Sequence, residues 1–270
     1  MIDMINRIRS EVKGVSPLIH SITNPISINQ CANAALAVGA RPIMAQHPLE
    51  VAQITSESKA LLLNLGNITD VRMESMKISA QTAKKQKIPI VLDLVGVACS
   101  ALRRNFAIQI IKEFTPDVIK GNYSEIYSLA CEKYSSSGVD TDRSIKFSDI
   151  KNACSHLSAR YNNTVLASGT VDIISCPDKT ALVSNGTPRL ADITGTGCML
   201  GELTACFLSA SDSFGASVCA TAVLGISGEL AQNSKGNGSF MVSLMDNISC
   251  ISDNDIDKYL RLELENNEKI

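Results

Sequence analysis

The stretch ALLLNLGNITDVRMESMKISAQTAKKQKIPIVLDLVG, residues 60–96, contains the pattern that decides the fold. Two short apolar runs, Ala60–Leu65 and Ile88–Asp93, predict strands because they are rich in Leu, Ile and Val and are bounded by turn residues. Thr69–Lys85, which lies between them, has the apolar spacing of a helix. A strand, a helix and a second strand in this order indicate parallel strands whose two faces are covered by helices.

The same alternation extends along the chain in both directions. The other predicted strands are Pro17–Ile22, Arg41–Ala45, Asp117–Lys120, Thr164–Ser168, Asp172–Cys176 and Ala181–Ser184, and further predicted helices are Ile28–Val38 and Ala101–Glu113. The turn residues Pro177–Lys179 predict a hairpin, and from Gly197 onward we expect only helices. No linker divides the sequence, and Ser135–Gly138 predicts only a surface loop. We therefore predict one α/β domain over residues 1–270, with a mostly parallel central sheet.

The composition argues against several classes of protein. Hydrophobic residues make up 45% of the chain and charged residues 19%, a mixture that can bury a large core. The net charge is -2 and aromatic residues are only 4%, so nothing indicates binding to nucleic acid. The nine cysteines contain no C-x-x-C pair and indicate a reducing compartment. The uncharged stretch Ser213–Gly228 is too short and too rich in small residues for a membrane span, so we expect a cytoplasmic protein with no membrane partner.

A glycine-rich segment, Asp192–Cys198, precedes a predicted helix over Met199–Ala210. Two glycines allow backbone N–H groups to converge, and the amino end of a helix adds positive charge, so the segment is suited to a phosphoryl group. The alternative is a strand-to-helix turn that binds no ligand. Cys198 lies where a helix begins, a position that favours the thiolate, and it can act as a base or as a wall of the pocket.

Two acidic residues follow predicted strands. Asp93 ends the run Ile90–Val91–Leu92, and Glu125 lies three residues after Asn122. Both carboxylates suit hydrated Mg²⁺ near a phosphate chain. Each also has a purely structural reading, because Asp93 can cap the next helix and Asn122 with Glu125 has the spacing of a capping box.

Two further segments close predicted strands, His20–Asn24 and Gly39–Ala45. Residues at the carboxyl ends of strands in an open α/β sheet line the ligand site, so both segments are candidates for a small-molecule pocket. Met44 is an adaptable apolar lining for a flat ring, although a methionine at a strand end is more often plain core. His20 by itself is more typical of a buried, hydrogen-bonded histidine than of a catalyst.

Together these segments resemble the hydroxyethylthiazole kinase family of the ribokinase-like superfamily. The shared motifs are I-T-N at Ile22–Asn24, G-A-x-P-x-M-A at Gly39–Ala45, L-D-x-V-G at Leu92–Gly96, G-N-x-S-E-I at Gly121–Ile126 and T-G-T-G-C at Thr194–Cys198. The resemblance runs from about Pro17 to Phe240 and implies a three-layer α/β/α fold. It also implies transfer of the ATP γ-phosphoryl group to the primary alcohol of 4-methyl-5-(2-hydroxyethyl)thiazole, a salvage step in thiamine synthesis.

The resemblance assigns roles by position. It implies that Met44, Gly195 and Asn24 contact the thiazole, that Lys120, Ser168, Thr194 and Gly197 contact ATP, that Asp93 and Glu125 govern Mg²⁺, and that Cys198 stands where related kinases have an aspartate base. It further implies a homotrimer with sites at subunit boundaries.

The chain departs from the family pattern with Lys120 for Arg, Ser168 for Thr and Leu94 for Pro. A related kinase for hydroxymethylpyrimidine or pyridoxal, and a non-catalytic thiazole-binding protein, are the alternatives.

Overall fold

One β-sheet of nine strands organises the described part of the chain, residues 1–131 and 145–267 of this computed structural model. The strands are β1 (Leu18–Ile22), β2 (Arg41–Ile43), β3 (Ala60–Asn64), β4 (Ile90–Asp93), β5 (Val118–Asn122), β6 (Thr164–Ser168), β7 (Asp172–Ser175), β8 (Lys179–Val183) and β9 (Leu262–Asn266). The helices are α1 (Ile2–Val15), α2 (Ile28–Ala37), α3 (Val51–Glu57), α4 (Asp70–Gln86), α5 (Ala101–Phe114), α6 (Tyr123–Ala130), α7 (Phe147–Tyr161), α8 (Thr196–Leu208), α9 (Ser213–Ala231), α10 (Asn237–Cys250) and α11 (Asp253–Tyr259). The predicted loop Ser135–Gly138 lies outside the described residues.

The strand order is β2-β1-β3-β4-β5-β6-β7-β8-β9. Every pairing from β2 to β6 is parallel, whereas β7, β8 and β9 each pair antiparallel with the preceding strand of the sheet. The mostly parallel sheet and the β7–β8 hairpin are therefore confirmed. All eight predicted strands are present, with ends within two residues of the predicted ones.

Helices cover both faces of the sheet and create two apolar cores. Alternate strand residues such as Leu62 and Val91 pack against α1, α2, α8, α9, α10 and α11. Their sequence neighbours Leu61 and Leu92 point the other way and pack against α3 to α7. Because both faces are buried, the central strands are apolar without alternation, as the sequence indicated. The result is the predicted three-layer α/β/α arrangement.

The expectation that the chain is helical from Gly197 onward is wrong near its end. Leu262–Asn266 forms β9, which pairs antiparallel with β8 and takes the edge of the sheet. Its sequence, LELEN, alternates apolar and acidic residues, a pattern typical of a half-exposed strand. The strand forms because β8 would otherwise leave a row of backbone N–H and C=O groups unpaired at that edge.

Helix α9 is long and apolar enough to cross a membrane by length and composition alone. However, 89% of the residues in its most apolar 18-residue stretch are buried inside the protein. It extends to Ala231, beyond the Ser213–Gly228 stretch, so the prediction that this segment is too short was wrong. Its small residues allow α8 and α10 to pack closely against it. The burial of α9 shows that it is a helix of the hydrophobic core.

Candidate active site

Three polar side chains lie side by side at the carboxyl ends of the central strands. Asn64 on β3 is in register with Asp93 on β4, and Asp93 is in register with Lys120 on β5. Side chains two residues apart share a face of a sheet. Because Leu62 and Val91 point toward α8, Asn64 and Asp93 do so as well. Because side chains alternate between the two faces of a strand, all three polar groups lie on the face of the sheet that packs against α8.

Direct hydrogen bonds connect these three side chains. The Asn64 amide nitrogen donates to Asp93 Oδ2 at 2.8 Å. The Lys120 ammonium donates to Asp93 Oδ1 at 3.0 Å and to the backbone carbonyl of Gly197 at 2.8 Å. Asp93 is fully buried and Lys120 is 3% exposed. The ion pair therefore fastens the start of α8 to the middle of the sheet.

A second set of contacts closes the network on the other side. Asn24, in the loop after β1, donates its amide to Asn64 Oδ1 and to Cys198 Sγ, both at 3.2 Å. Its own carbonyl oxygen accepts the backbone N–H groups of Ile26 and Ser27, which holds the amide in this orientation. The network therefore runs from Cys198 through the sheet and back to Gly197, the residue that precedes Cys198.

Two glycines allow α8 to lie this close. Gly195 caps the helix with a φ of +93°, a conformation that L side chains rarely adopt, and a Cβ there would meet Ser27 Cβ at 2.9 Å. A Cβ on Gly201 would lie 3.0 Å from Asp93 Oδ2. Cys198 thereby falls in the first turn of the helix, where backbone N–H groups lack acceptors within the helix. The predicted glycine-rich turn into this helix is therefore present, with Gly195 as the residue before its first turn.

The charges of the site are strongly perturbed by burial. Burial raises the pKa of Asp93, and the Lys120 ammonium and Asn64 amide oppose that rise. Burial by itself would lower the pKa of Lys120, but the negative charges of Asp93, Cys198 and Glu125 outweigh it and the pKa is raised. Lys120 therefore keeps its positive charge, although almost no solvent reaches it.

Glu125 forms the predicted capping box with Asn122 at the start of α6. Its Oε2 accepts the Asn122 N–H, and its Oε1 accepts the Gly96 N–H, each at 2.7 Å. Burial raises its pKa to about 7, against the opposing effect of Lys120. The carboxylate thus ties the loop after β4 to α6, and it lies close enough to Lys120 for their charges to interact.

The other predicted residues lie around this network. Met44 follows β2 at the sheet edge and is half-buried. Thr194 is exposed just before α8, and Ser168 ends β6 in register with Asn122, with its hydroxyl 3.4 Å from the Gly121 carbonyl. In the described ranges the structure brings Asn24, Asp93, Lys120, Gly197 and Cys198 into direct contact and leaves Met44, Thr194 and Ser168 at the margins.

Sequence reasoning missed two buried polar residues here. Asn64 joins both halves of the network, and the rule that selected Asp93, a polar residue ending an apolar run, would have found it. Glu202 lies one turn after Cys198 on α8 and accepts the Ser21 hydroxyl at 2.7 Å. No local signal identifies it, because a glutamate in a helix is usually exposed.

Comparison with known proteins agrees with this geometry. The model described as the hydroxyethylthiazole kinase family matches residues 9–254. Hydroxyethylthiazole kinase 2 of Clostridium botulinum is 50% identical over 261 residues, which cover 95% of this chain and 98% of that protein. The solved structure of a hydroxyethylthiazole kinase from Pyrococcus horikoshii OT3 superposes with a TM-score of 0.90 at 31% identity, covering 97% of this chain and 99% of that one. A ribokinase-like superfamily protein from Enterococcus faecalis V583 shares the fold, with a TM-score of 0.64 at 12% identity over 92% and 94% of the two chains.

Proposed function

The chain belongs to the hydroxyethylthiazole kinase family, and from that premise we propose that it transfers the γ-phosphoryl group of ATP to the primary alcohol of 4-methyl-5-(2-hydroxyethyl)thiazole, a salvage step in thiamine synthesis. The observation that carries the proposal is the position of the Cys198 thiol, at the amino end of α8 and beside the buried Lys120 ammonium. Phosphoryl transfer depends on positioning and charge stabilisation more than on covalent chemistry. This site supplies both.

In the proposed reaction Cys198 takes the proton of the alcohol. As the alcohol oxygen bonds to the γ-phosphorus, its O–H bond and the bond from that phosphorus to the ADP oxygen break and ADP leaves, so a base beside the attacking oxygen lowers the barrier. The Asn24 amide donates to the sulfur at 3.2 Å. It also fixes the direction of the sulfur, because Asn64 and the Ile26 and Ser27 N–H groups hold the same amide.

The phosphate is received by the first turn of α8. The N–H groups of residues 196–198 have no acceptors within the helix, and the helix dipole places positive charge there. Lys120 adds a full positive charge next to Gly197 and is held by Asp93. We assign Gly197 and Lys120 to ATP on this basis, and Thr194 and Ser168 on the family resemblance. Because these donors are in position before the reaction, stabilising the transferring group requires little rearrangement.

The residues fit Mg²⁺ in the mode that kinases use. The described residues contain no cluster of three or more His, Cys, Asp or Glu that could hold a metal by itself. Mg²⁺ instead keeps several waters and binds one or two carboxylates together with substrate phosphates. Each oxygen of Asp93 and Glu125 accepts a hydrogen bond in this structure, and a carboxylate oxygen has a second lone pair. These two carboxylates would hold the hydrated ion, which when bound neutralises charge on the phosphate chain.

The thiazole is assigned to the space near the first two strands of the sheet. Asn24 follows β1 and Met44 follows β2, and Gly195 faces the same region through its contact with Ser27. Met44 offers a half-buried thioether for a flat apolar ring. In this proposal the alcohol lies between Met44 and the Cys198 sulfur.

From the family resemblance we also propose a homotrimer with sites at subunit boundaries. β2 is an edge strand, so Met44 lies at the rim of the sheet. Two large apolar side chains nearby are exposed, Ile26 by 56% and Leu49 by 90%. A second copy of the chain that covered them would complete the pocket. We expect light scattering to give three times the 28.9 kDa chain mass.

A cytoplasmic location is also proposed. All nine cysteines are free thiols, five of them buried, which suits a reducing compartment.

An alcohol panel tests the proposed function. The protein is incubated with Mg-ATP and separately with the thiazole alcohol, hydroxymethylpyrimidine and pyridoxal, and phosphorylated products are quantified. We expect kcat/KM for the thiazole to exceed that for the other two by a wide margin. Preference for a pyrimidine or pyridoxal would assign the chain to a related kinase. Binding of the thiazole without product from any alcohol would identify a non-catalytic binding protein.

A further inference from the structure

The segment Met44–His47 joins β2 to α3 and has no regular secondary structure. It is partly to fully exposed, and segments of this kind are usually the mobile parts of a domain. Here two consecutive backbone carbonyls, those of Ala45 and Gln46, are bonded to buried side chains from other elements. Hydrogen bonds from two buried side chains therefore hold the segment that carries Met44.

The first buried side chain is His20 of β1, which is fully buried and next to Ile43, the last residue of β2. Its Nε2 lies 2.9 Å from the Ala45 carbonyl, and its Nδ1 lies 2.8 Å from the Thr55 hydroxyl. A carbonyl only accepts, so Nε2 carries a proton. Burial lowers the pKa of His20, and the opposing effects of the Ala45 carbonyl and the Glu50 carboxylate are smaller. The Thr55 hydroxyl also lies 2.7 Å from the Val51 carbonyl and has a single proton, so it is the Ala45 carbonyl that assigns a proton to Nε2.

The second is Ser75 of α4, also fully buried. Its single hydroxyl proton is shared between the Gln46 carbonyl at 2.8 Å and the Val71 carbonyl of its own helix at 2.9 Å. A serine hydroxyl one turn away, that of Ser79, is equally buried and has no hydrogen-bond partner within the described ranges. The bond to Gln46 therefore distinguishes Ser75 from a neighbour of the same type on the same helix.

We propose that His20 and Ser75 are positioning residues that fix the Met44–His47 backbone and thereby hold Met44 against the acceptor substrate. The inference rests on the proposed function, because it takes Met44 as a contact of the thiazole. Neither residue touches the reacting atoms. Both act by removing the conformational freedom that the segment would otherwise lose when substrate binds.

The test compares four variants by steady-state kinetics in both substrates. His20→Leu removes both ring contacts, and His20→Gln keeps an N–H near the Nε2 position. Ser75→Ala removes the second bond, and Ser79→Ala is its matched control. We expect His20→Leu and Ser75→Ala to raise the thiazole KM about tenfold, equivalent to about 1.4 kcal/mol, with the ATP KM unchanged. His20→Gln should recover most of the loss, and Ser79→Ala should match the wild type.

Hydrogen exchange of the backbone amides of residues 44–47 provides a readout that needs no substrate. Exchange should be faster in His20→Leu and Ser75→Ala than in the wild type or in Ser79→Ala. An unchanged thiazole KM and unchanged exchange in folded Ser75→Ala would overturn the inference, even if His20→Leu does not fold. Equal rises in both KM values would also overturn it, because they indicate a general structural loss. Failure of the proposed function would be visible separately, as a wild-type protein that phosphorylates no thiazole.

Discussion

At the scale of single residues, Cys198 tests whether the site contains a base. Cys198→Ala is expected to lower kcat, at most by the ~10²–10⁴-fold typical of general acid–base catalysis, and to leave thiazole binding nearly unchanged. Cys198→Asp should keep or raise activity, since Asn24 can donate to a carboxylate oxygen and the first turn of a helix favours negative charge. Kinetics at saturating Mg-ATP measure both variants.

The control is Cys206→Ala, the same change at a fully buried position two turns along α8. It should leave kcat unchanged. If Cys198→Ala instead raises KM and spares kcat, Cys198 is a wall of the pocket and not a base.

Substitution of Glu125 tests the proposed metal carboxylates. The structure shows that this substitution also affects stability, so the two effects must be measured separately. Both oxygens of Glu125 accept backbone N–H groups, so in Glu125→Gln the amide nitrogen must face a donor. We expect a stability cost of about 1–3 kcal/mol, together with a fall in kcat of about 10²-fold and a higher Mg²⁺ requirement. Urea unfolding and Mg²⁺ titration of the initial rate measure the two effects.

Asp255→Asn is a matched control, because Asp255 closes a capping box with Ser252 at the exposed start of α11. It should lower stability without changing kcat. Wild-type kcat in Glu125→Gln at a temperature where the variant is folded would reject the metal role and leave the capping box as the whole explanation.

At the scale of elements, the distance between α8 and β4 decides the geometry of the site. In Gly201→Ala the new Cβ would lie 3.0 Å from Asp93 Oδ2 and 3.5 Å from Leu62 Cδ1, so the Asp93 carboxylate or the helix must shift by a few tenths of an ångström. Either shift disturbs the bonds that Lys120 donates to Asp93 and to Gly197. We expect kcat to fall about tenfold or more, although alanine is the better helix former by up to ~1 kcal/mol.

Gly238→Ala provides the comparison, because Gly238 lies in the first turn of α10 with nothing within 4 Å of a new Cβ. Its kcat should equal that of the wild type, and its melting temperature should not fall. Equal kinetics in the two variants would show that the spacing between α8 and β4 does not limit the reaction.

At the scale of the whole molecule, buried acids make stability depend on pH. Burial raises the pKa of Glu202 to about 8, and that of Glu125 and of Asp172 to about 7. Because the folded state binds these protons more tightly than the unfolded state, the free energy of unfolding falls as pH rises from about 4.5 to 8. A tenfold change in proton affinity corresponds to about 1.4 kcal/mol, so Glu202 alone contributes several kcal/mol to the decline.

Glu202→Gln should flatten this profile, raising stability at pH 8 and changing it little at pH 5. Urea unfolding at several pH values measures the slope. Glu74→Gln, the same change at an exposed position of α4, should retain the wild-type slope. An unchanged slope in Glu202→Gln would show that Glu202 does not titrate in this window.

The sequence by itself determined the alternation of strands and helices, and with it the parallel sheet. Local spacing carries that information, since an apolar run such as Ala60–Leu65 can be satisfied only between two helical layers. It also assigned Asp93, Glu125 and Cys198 to the carboxyl end of the sheet, the end where open α/β sheets in general bind ligands. The strand β9 was missed because its formation depends on the free edge of β8, which is distant in sequence.

Only the tertiary structure decided which polar groups are partners. Lys120 is bonded to Asp93 and to Gly197, 77 positions away, and Asn64 connects Asn24 with Asp93. No local pattern contains these pairings, because they arise from the register of neighbouring strands and from the close approach of α8. Burial then sets the charges, since a carboxylate such as Glu125 costs free energy to ionise once water is removed. The desolvation of a group depends on all the atoms that pack around it. That packing exists only after the chain has folded.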